Sequence, residues 1–353
     1  MAAVTSEIHI AKQRRRLLNQ AGITLLTLFI LSVFLMPLGY GLVTSLKSQS
    51  QASDSKAPIY PTATVKFNYE GQNYDVYEVP YEDGVGEWAL IKKGRTDSQF
   101  IDTKNPEAGV ITWTGNWRAL NQVRVLSIQW DNYPRAWEQI SFVRLLTNTL
   151  LYAFITMAGT LVASSFVAYG FSRFRFPFKN VLFIILISTI ILPPQATLVP
   201  TYAFYVKTMG WGGTWLPLIV PHLFGNAYNI FLLRQYFMTV PRELEEAATV
   251  DGAGPLRIFF SVILPQATPA LTAVAMFHFF FAWNDFFGPL IYLAGNRQAN
   301  PITVGLTEFN GLYNTEPQLI LAASVISMIL PLTIFFLAQR VFIQGIVVTG
   351  VDK

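Results

Sequence analysis

The chain of 353 residues contains no cysteine, which excludes disulfide bridges and thiolate metal sites. Charge is scarce as well: Asp, Glu, Lys and Arg make up 13% of the residues, against about a quarter in a soluble domain. Only three histidines occur, with no metal-spaced cluster of His, Asp and Glu, so neither a metal site nor catalytic residues are expected. The phosphate-cradling pattern GxxxxGK followed by Ser or Thr is missing, so the chain cannot itself hydrolyse ATP. A formal net charge of +4 is too small to point to nucleic acid. What fills the chain is apolar: 52% of its residues are hydrophobic.

That apolar material falls into long runs. About 20 residues rising about 1.5 Å each cross a hydrocarbon core of about 30 Å. Six stretches qualify: residues 21–46, 145–171, 181–205, 216–233, 269–293 and 319–341. Their flanking cations are divided unevenly, and an excess of Lys and Arg marks the cytoplasmic side of short loops. On one side lie Lys12, Arg14, Arg15, Arg16, Arg173, Arg175, Lys179, Arg234, Arg242, Arg257, Arg340 and Lys353; on the other, only Lys207 and Arg297. Both termini and the loop after the fourth span therefore face the cytoplasm. The first run also admits a signal-peptide reading, but it exceeds the roughly 7–15 apolar residues of a signal core, which favours an uncleaved anchor.

Residues 47–140 are a different material, with ten Lys and Arg against twelve Asp and Glu. Residues 62–69 alternate, with Val65, Phe67 and Tyr69 on one side of a strand; a turn at 70–73 and a return strand at 74–79 follow. Residues 88–91 and 100–101 suggest further strands. Trp130, Tyr133, Trp137 and Ile140 have helical spacing, and their aromatics suit a membrane interface. This extracytoplasmic insertion is read as a small β module: either a docking surface for an external protein or a cap over the helices. The fold class is thus an all-α polytopic membrane protein, six helices, with a β-containing insertion between helices 1 and 2. Its organisation is 1–46 (cytoplasmic N-terminus and first helix), 47–140 (insertion) and 141–353 (helical core, with a cytoplasmic loop at 239–265).

That loop carries the most information. Pro241 suits a first helical position, and Glu243, Glu245 and Glu246 follow where a helix dipole favours acids. Leu244, Ala247 and Ala248 share a face by spacing. Gly252 and Gly254 bracket a sharp turn, Asp251 precedes it, and Pro255 starts a second helical piece that ends near Leu264 and Pro265. The spacing is Glu246-Ala247-Ala248, three residues, Gly252, nine residues, Val262, one residue, Leu264-Pro265. It resembles the cytoplasmic Glu-Ala-Ala loop of bacterial ABC-importer permeases, whose consensus has isoleucine at the place of Val262.

From about Asn148 onward the chain is similar to the carbohydrate branch of that family, the second membrane subunit of maltose-type importers. The supporting segments are Pro194-Gln195-Ala196-Thr197-Leu198-Val199-Pro200, Ile230-Phe231-Leu232-Leu233-Arg234-Gln235, Trp283-Asn284-Asp285 and Leu337-Ala338-Gln339-Arg340. Residues 344–353 resemble the family's glycine-rich tail, with Asp352 in place of a basic residue and the last glycine missing. The insertion is longer than that subunit type usually carries. The resemblance implies a sugar importer (oligosaccharide or glycoside) in a bacterial inner membrane. Its partners would be a homologous second permease subunit in a heterodimer, two ATP-binding subunits on the loops, and an extracytoplasmic binding protein. No cofactor of its own is implied. Glu245, Glu246, Ala247, Ala248, Asp251, Gly252, Leu264 and Pro265 are the expected ATPase-coupling residues.

Ionisable groups inside a span are costly and are functional suspects. Asp285 stands sixteen residues beyond Pro269, or ~24 Å along a helix, which puts Asn284 and Asp285 near the outer mouth. They suit a gate, an inter-helix hydrogen-bond network or structural pairing. His278 lies deeper and suits either solute contact or packing; His222 is equally open. Pro193, Pro194 and Pro200 break the third span, either to line the path or as a re-entrant bend. The phenylalanines around His278 fit stacking on sugars or lipid-facing packing. Two rival functions are weaker. A proton- or sodium-driven secondary transporter usually needs paired intramembrane carboxylates, and the spans offer only Asp285. A membrane-embedded enzyme would need a metal-spaced cluster that three histidines do not supply; within importers, a permease for a non-sugar solute stays open.

Overall fold

The apolar runs fold as helices, and proline decides where they bend. The computed structural model describes residues 2–54, 57–81, 84–310 and 315–347. The chain forms two units: Met1–Arg135 with Thr315–Val325, and Ala136–Asn314 with Ile326–Lys353. Among the described residues, four helices are long and apolar enough to cross a membrane: Arg16–Ser45, Phe142–Arg173, Leu216–Thr239 and Pro317–Gln339. The third expected span is a bent pair, Lys179–Ile191 with Ala196–Thr208 at 99°; a second bent pair, Pro255–Gln266 with Thr268–Asn284 at 79°, joins the loop's second helical piece to the fifth expected span. The tail's residues 348–353 lie outside the described residues.

Helix α1 (Ala2–Ser45) begins well before the expected residue 21, and its large apolar side chains from Leu17 to Met36 are exposed, as hydrocarbon contact requires. The bends have local causes. Pro193 and Pro194 stop the helix Lys179–Ile191 because neither supplies an N–H and the residue before a proline avoids helical angles. Pro200, expected to break the span too, sits inside the helix Pro194–Tyr202. At the second bend, Pro269 cannot donate to the carbonyl of Pro265; the Thr268 hydroxyl donates to it instead, at 2.8 Å.

The insertion folds as expected, with more strands. A six-stranded antiparallel sheet runs β2 (Lys66–Tyr69), β3 (Gln72–Tyr81), β4 (Gly84–Lys92), β5 (Asp97–Asp102), β6 (Val110–Thr114), with β7 (Asn121–Gln122) also on β3. The expected strand over 62–69 divides, because β1 (Thr62–Thr64) pairs with β8 (Arg124–Leu126) instead. Glu70 and Gly71 both take positive φ, the two-residue hairpin turn. Side chains alternate: Tyr77, Val79, Trp88, Leu90 and Phe100 form one buried cluster, and Val76, Ala89 and Ile101 another, which Val65, Phe67 and Tyr69 cover. In helix α2 (Asn132–Gln139) and just past it, Asn132, Ala136 and Ile140 are buried while Trp130 and Trp137 are exposed. The expected face is therefore split: Trp130 and Trp137 are exposed, whereas Tyr133 is half-buried with its hydroxyl 2.9 Å from Ser45 Oγ.

Candidate functional site

The loop after the fourth span is an elbow whose corner is set by one torsion. Helix α3 (Phe142–Arg173) and helix α4 (Ala227–Thr239) form the adjoining bundle. Helix α5 (Arg242–Val250) follows, with Pro241 one residue outside it at the N-cap and Glu243 and Glu245 in its first turn. Gly252 adopts φ +80°, and its N–H donates to Thr249 O at 3.0 Å while Ala253 N–H donates to Ala248 O at 2.9 Å. This pair of bonds is the Schellman closure of a helix. A Cβ at Gly252 would meet nothing within 4 Å, so the requirement for glycine is torsional. Gly254, by contrast, is extended at φ −74°, ψ 168°, and caps the helix Pro255–Ile258. The chain then passes through a wide π-helical turn, Phe259–Ile263, into Leu264–Gln266 and the bend at Ala267. Pro265 sits in that last turn, and Leu264 packs against the bundle core.

The elbow is tied back by residues that spacing did not single out. Arg173, at the last turn of α3, donates to Phe237 O at 2.6 Å and Val240 O at 2.7 Å, closing the end of α4. Its Nε also lies 2.7 Å from Glu245 Oε1, a charge contact without hydrogen-bond alignment. Tyr169 donates to Pro255 O at 3.2 Å and Tyr236 to Gln266 O at 3.3 Å. Phe237, Phe259 and Ile263 are wholly buried beneath these ties. The sequence offered Arg173 only as one cation among twelve; its pairing with Glu245, 72 positions away, leaves no local signal.

Two faces result. Glu245 and Ala248 turn inward, Ala248 packing on the bundle core, whereas Leu244, Glu246, Ala247, Val250 and Asp251 are exposed. The expected common face of Leu244, Ala247 and Ala248 is thus split. Burial pushes the Glu245 carboxyl above the usual carboxylate range, and the attraction of Arg173 and then Arg242 opposes this without cancelling it. On the outer face Val250 is 88% and Leu256 64% exposed, an apolar rim around an acidic centre.

Within the helices, Thr160 stands between two histidines. Its hydroxyl is 3.5 Å from His222 Nδ1 and 3.5 Å from His278 Nε2, and the imidazole centroids are 4.7 Å apart. Both rings line a cleft of about 440 Å³ with Thr189, Asn226, Tyr228, Asn229, Phe277 and Phe281. Asn284 and Asp285 do not join it. Asn284 donates to Phe280 O in its own helix at 2.8 Å. Asp285 ends the helix Thr268–Asn284: its carboxylate accepts from Tyr152 at 2.7 Å and from Gly288 N–H at 3.2 Å, and its carbonyl accepts from Thr303 at 2.6 Å. These bonds join Asp285 to helix α3 and to Thr303. Pro200 is exposed, and the side chain of Pro194 lies outside the described residues. Among the described residues no cluster of three or more potential metal ligands occurs.

Comparison with known proteins bears on both halves of this arrangement. Residues 160–348 match the family described as "Binding-protein-dependent transport system inner membrane component". The "Osmoprotective compounds uptake permease protein GgtD" of Synechocystis sp. is 33% identical over 270 residues, covering 75% of this chain and 88% of the relative. The "Alpha-glucoside transport system permease protein AglG" of Rhizobium meliloti is 29% identical, covering 63% of this chain and 60% of the relative. Among solved structures, a chain of a bacterial ABC transporter involved in the import of the acidic polysaccharide alginate superposes with a TM-score of 0.61 at 20% identity, over 92% of this chain and 96% of that one. That likeness concerns the fold.

Proposed function

Since this chain belongs to the binding-protein-dependent transport system inner membrane components, and is a permease subunit of an ABC importer rather than an enzyme, we propose that it passes sugars, as oligosaccharides or glycosides, and is driven through the elbow at Arg242–Gln266. Lys179–Ile191 with Ala196–Thr208 counts as one span, and Thr268–Asn284 continued by Phe287–Tyr292 as another, giving six, with both termini and the elbow on the cytoplasmic side. A homologous second permease subunit, two ATP-binding subunits and an external binding protein complete the assembly.

The observation that carries this reading is the division of the elbow into an inward face and an exposed one. Glu246, Asp251 and the rim of Leu244 and Val250 meet the ATPase, and Ala247 permits close backbone approach. Glu245 and Ala248 hold the same helix to Arg173 and the bundle. Gly252 keeps the corner rigid, and Leu264 and Pro265 pass displacement into the fifth span. Closure of the ATPases around ATP draws the paired elbows together and opens the path outward; hydrolysis resets it. Along that path His278 lines the cleft beside His222, Pro194 and Pro200 shape the broken third span, and Asn284 and Asp285 fix its outer end.

The sugar assignment is supported by the name of AglG. A second reading, an osmoprotective compound, is favoured by the name of GgtD, which is the more identical of the two. The elbow's role is tested with Gly252→Pro, which can neither donate to Thr249 O nor reach φ +80°. Membrane insertion should be intact and solute-stimulated ATP hydrolysis by the assembled complex abolished. Unchanged hydrolysis would remove the coupling role.

A further inference from the structure

The β module holds a cleft to which the proposed import role assigns no residue. It has a volume of about 540 Å³, and its lining includes Tyr60, Tyr77, Trp117, Asn121, Gln122 and Arg124. That size falls within the range of about 300–1,000 Å³ usual for small-molecule sites. Its polar side chains are held in sequence. Asp54 pairs with Arg124 at 2.8 Å, Arg124 donates to Gln122 Oε1 at 3.1 Å, and Gln122 Nε2 donates to the Tyr77 hydroxyl at 3.0 Å. Tyr77 is buried and accepts in that bond, so its own proton is left to donate. Asn121 donates to Glu78 at 3.4 Å, which leaves its carbonyl oxygen as an acceptor.

Two aromatic rings complete the wall. Trp117 is half-buried and held edge-to-face by Tyr77, with centroids 6.2 Å apart, and the cations of Arg118 and Lys93 lie over its ring at 4.8 and 5.2 Å. Tyr60 is 58% exposed beside these polar groups, an amphipathic ring with one face open at the cleft wall. The lining's charges balance, Asp54 and Glu78 against Arg118 and Arg124, so no net field selects an anion or a cation. Fixed amide and hydroxyl groups, flat rings and zero net charge suit a ligand rich in hydroxyls with apolar C–H faces. We infer that this cleft binds a neutral oligosaccharide, independently of which solute crosses the membrane.

The test is isothermal titration calorimetry of the full chain in nanodiscs, with maltotriose as the probe and sn-glycerol 3-phosphate as an anionic contrast. Maltotriose should bind saturably, and the phosphate should not. Tyr60→Ala removes an exposed ring without touching the fold, and Gln122→Ala breaks the relay; each should weaken binding at least tenfold. Absence of saturable maltotriose binding overturns the inference, as does binding that survives both module substitutions. Solute-stimulated ATPase activity of the assembled importer, measured in parallel, reports on the import reading alone, so the two fail separately.

Discussion

In the β module Phe100 and Ile101 are wholly buried and both sheet faces are covered, whereas in the elbow Leu244, Val250 and Leu256 stay exposed around a corner set by one glycine. The module satisfies itself: alternating side chains supply two clusters, and the ladder supplies the hydrogen bonds. The elbow does not do that: Leu244, Val250 and Leu256 stay uncovered, the surface that the proposed reading gives to the ATPase. It is instead held from behind, by Arg173, Tyr169 and Tyr236 on backbone carbonyls, and from within, by the Schellman closure. Burial dominates the first region; directional bonds and torsion dominate the second. Substitutions should therefore act by different mechanisms and in different places.

The largest effect belongs to the module. Phe100→Ala opens a cavity beneath Trp88 and Trp113, and such a change costs about 3–5 kcal/mol. Amide exchange across β3 to β5 should quicken sharply while the elbow's amides hold their rates. A comparable loss of protection in both regions would erase the contrast. Next comes Arg173→Ala, which uncovers the carbonyls of Phe237 and Val240 and leaves Glu245 without its charge contact. Bonds from a charged donor are worth about 1.5–3 kcal/mol, so exchange in α5 should quicken about tenfold or more, with the sheet unaffected. Stimulated ATP hydrolysis should fall with it, and Arg173→Lys, a single point charge, should restore only part.

How much of this could be read beforehand follows the same division. The spans were legible because lipid demands long apolar runs, and the elbow because Gly252, Leu264 and Pro265 keep a fixed distance from Glu246. The hairpin at Glu70 and Gly71 was legible from alternation and a turn signal. What stayed hidden was non-local. Nothing near Arg173 in the sequence marks Glu245 as its partner, and Ala248 turns inward only because the bundle core lies there. The break at Asp285 depends on Tyr152 and Thr303, both distant in the chain. Strand β6 was missed although Ile111 and Trp113 alternate with exposed neighbours and carry a strand signal of their own.

A smaller effect separates the two glycines of the turn, which looked equivalent in sequence. Gly252→Ala places a Cβ at φ +80°, at a cost of about 1–2 kcal/mol, whereas Gly254→Ala accepts an extended angle open to any residue. The first should loosen α5 and lower coupling; the second should do neither. Equal effects would mean that the corner is held by packing, as in the sheet, and not by torsion.

The smallest effect is a pH dependence confined to the elbow, and its sign follows from Glu245. Burial raises this carboxyl above its ordinary value of 4.5, with Arg173 and Arg242 pulling the other way. The folded elbow therefore holds a proton at a pH where the unfolded chain has released it. That stabilisation is fully present below 4.5 and is lost as pH rises through the raised folded value. After correction for intrinsic exchange rates, α5 amides should exchange faster as pH climbs through that window, while amides around Phe100 provide a flat reference. Glu245→Gln cannot ionise, so the slope should vanish in it. A slope of opposite sign would mean that the attraction of Arg173 outweighs burial, so that the ion pair and not the hidden carboxylic acid holds α5 down. A slope that survives Glu245→Gln would move the titrating group elsewhere on the elbow, with exposed Glu246 and Asp251 next in line.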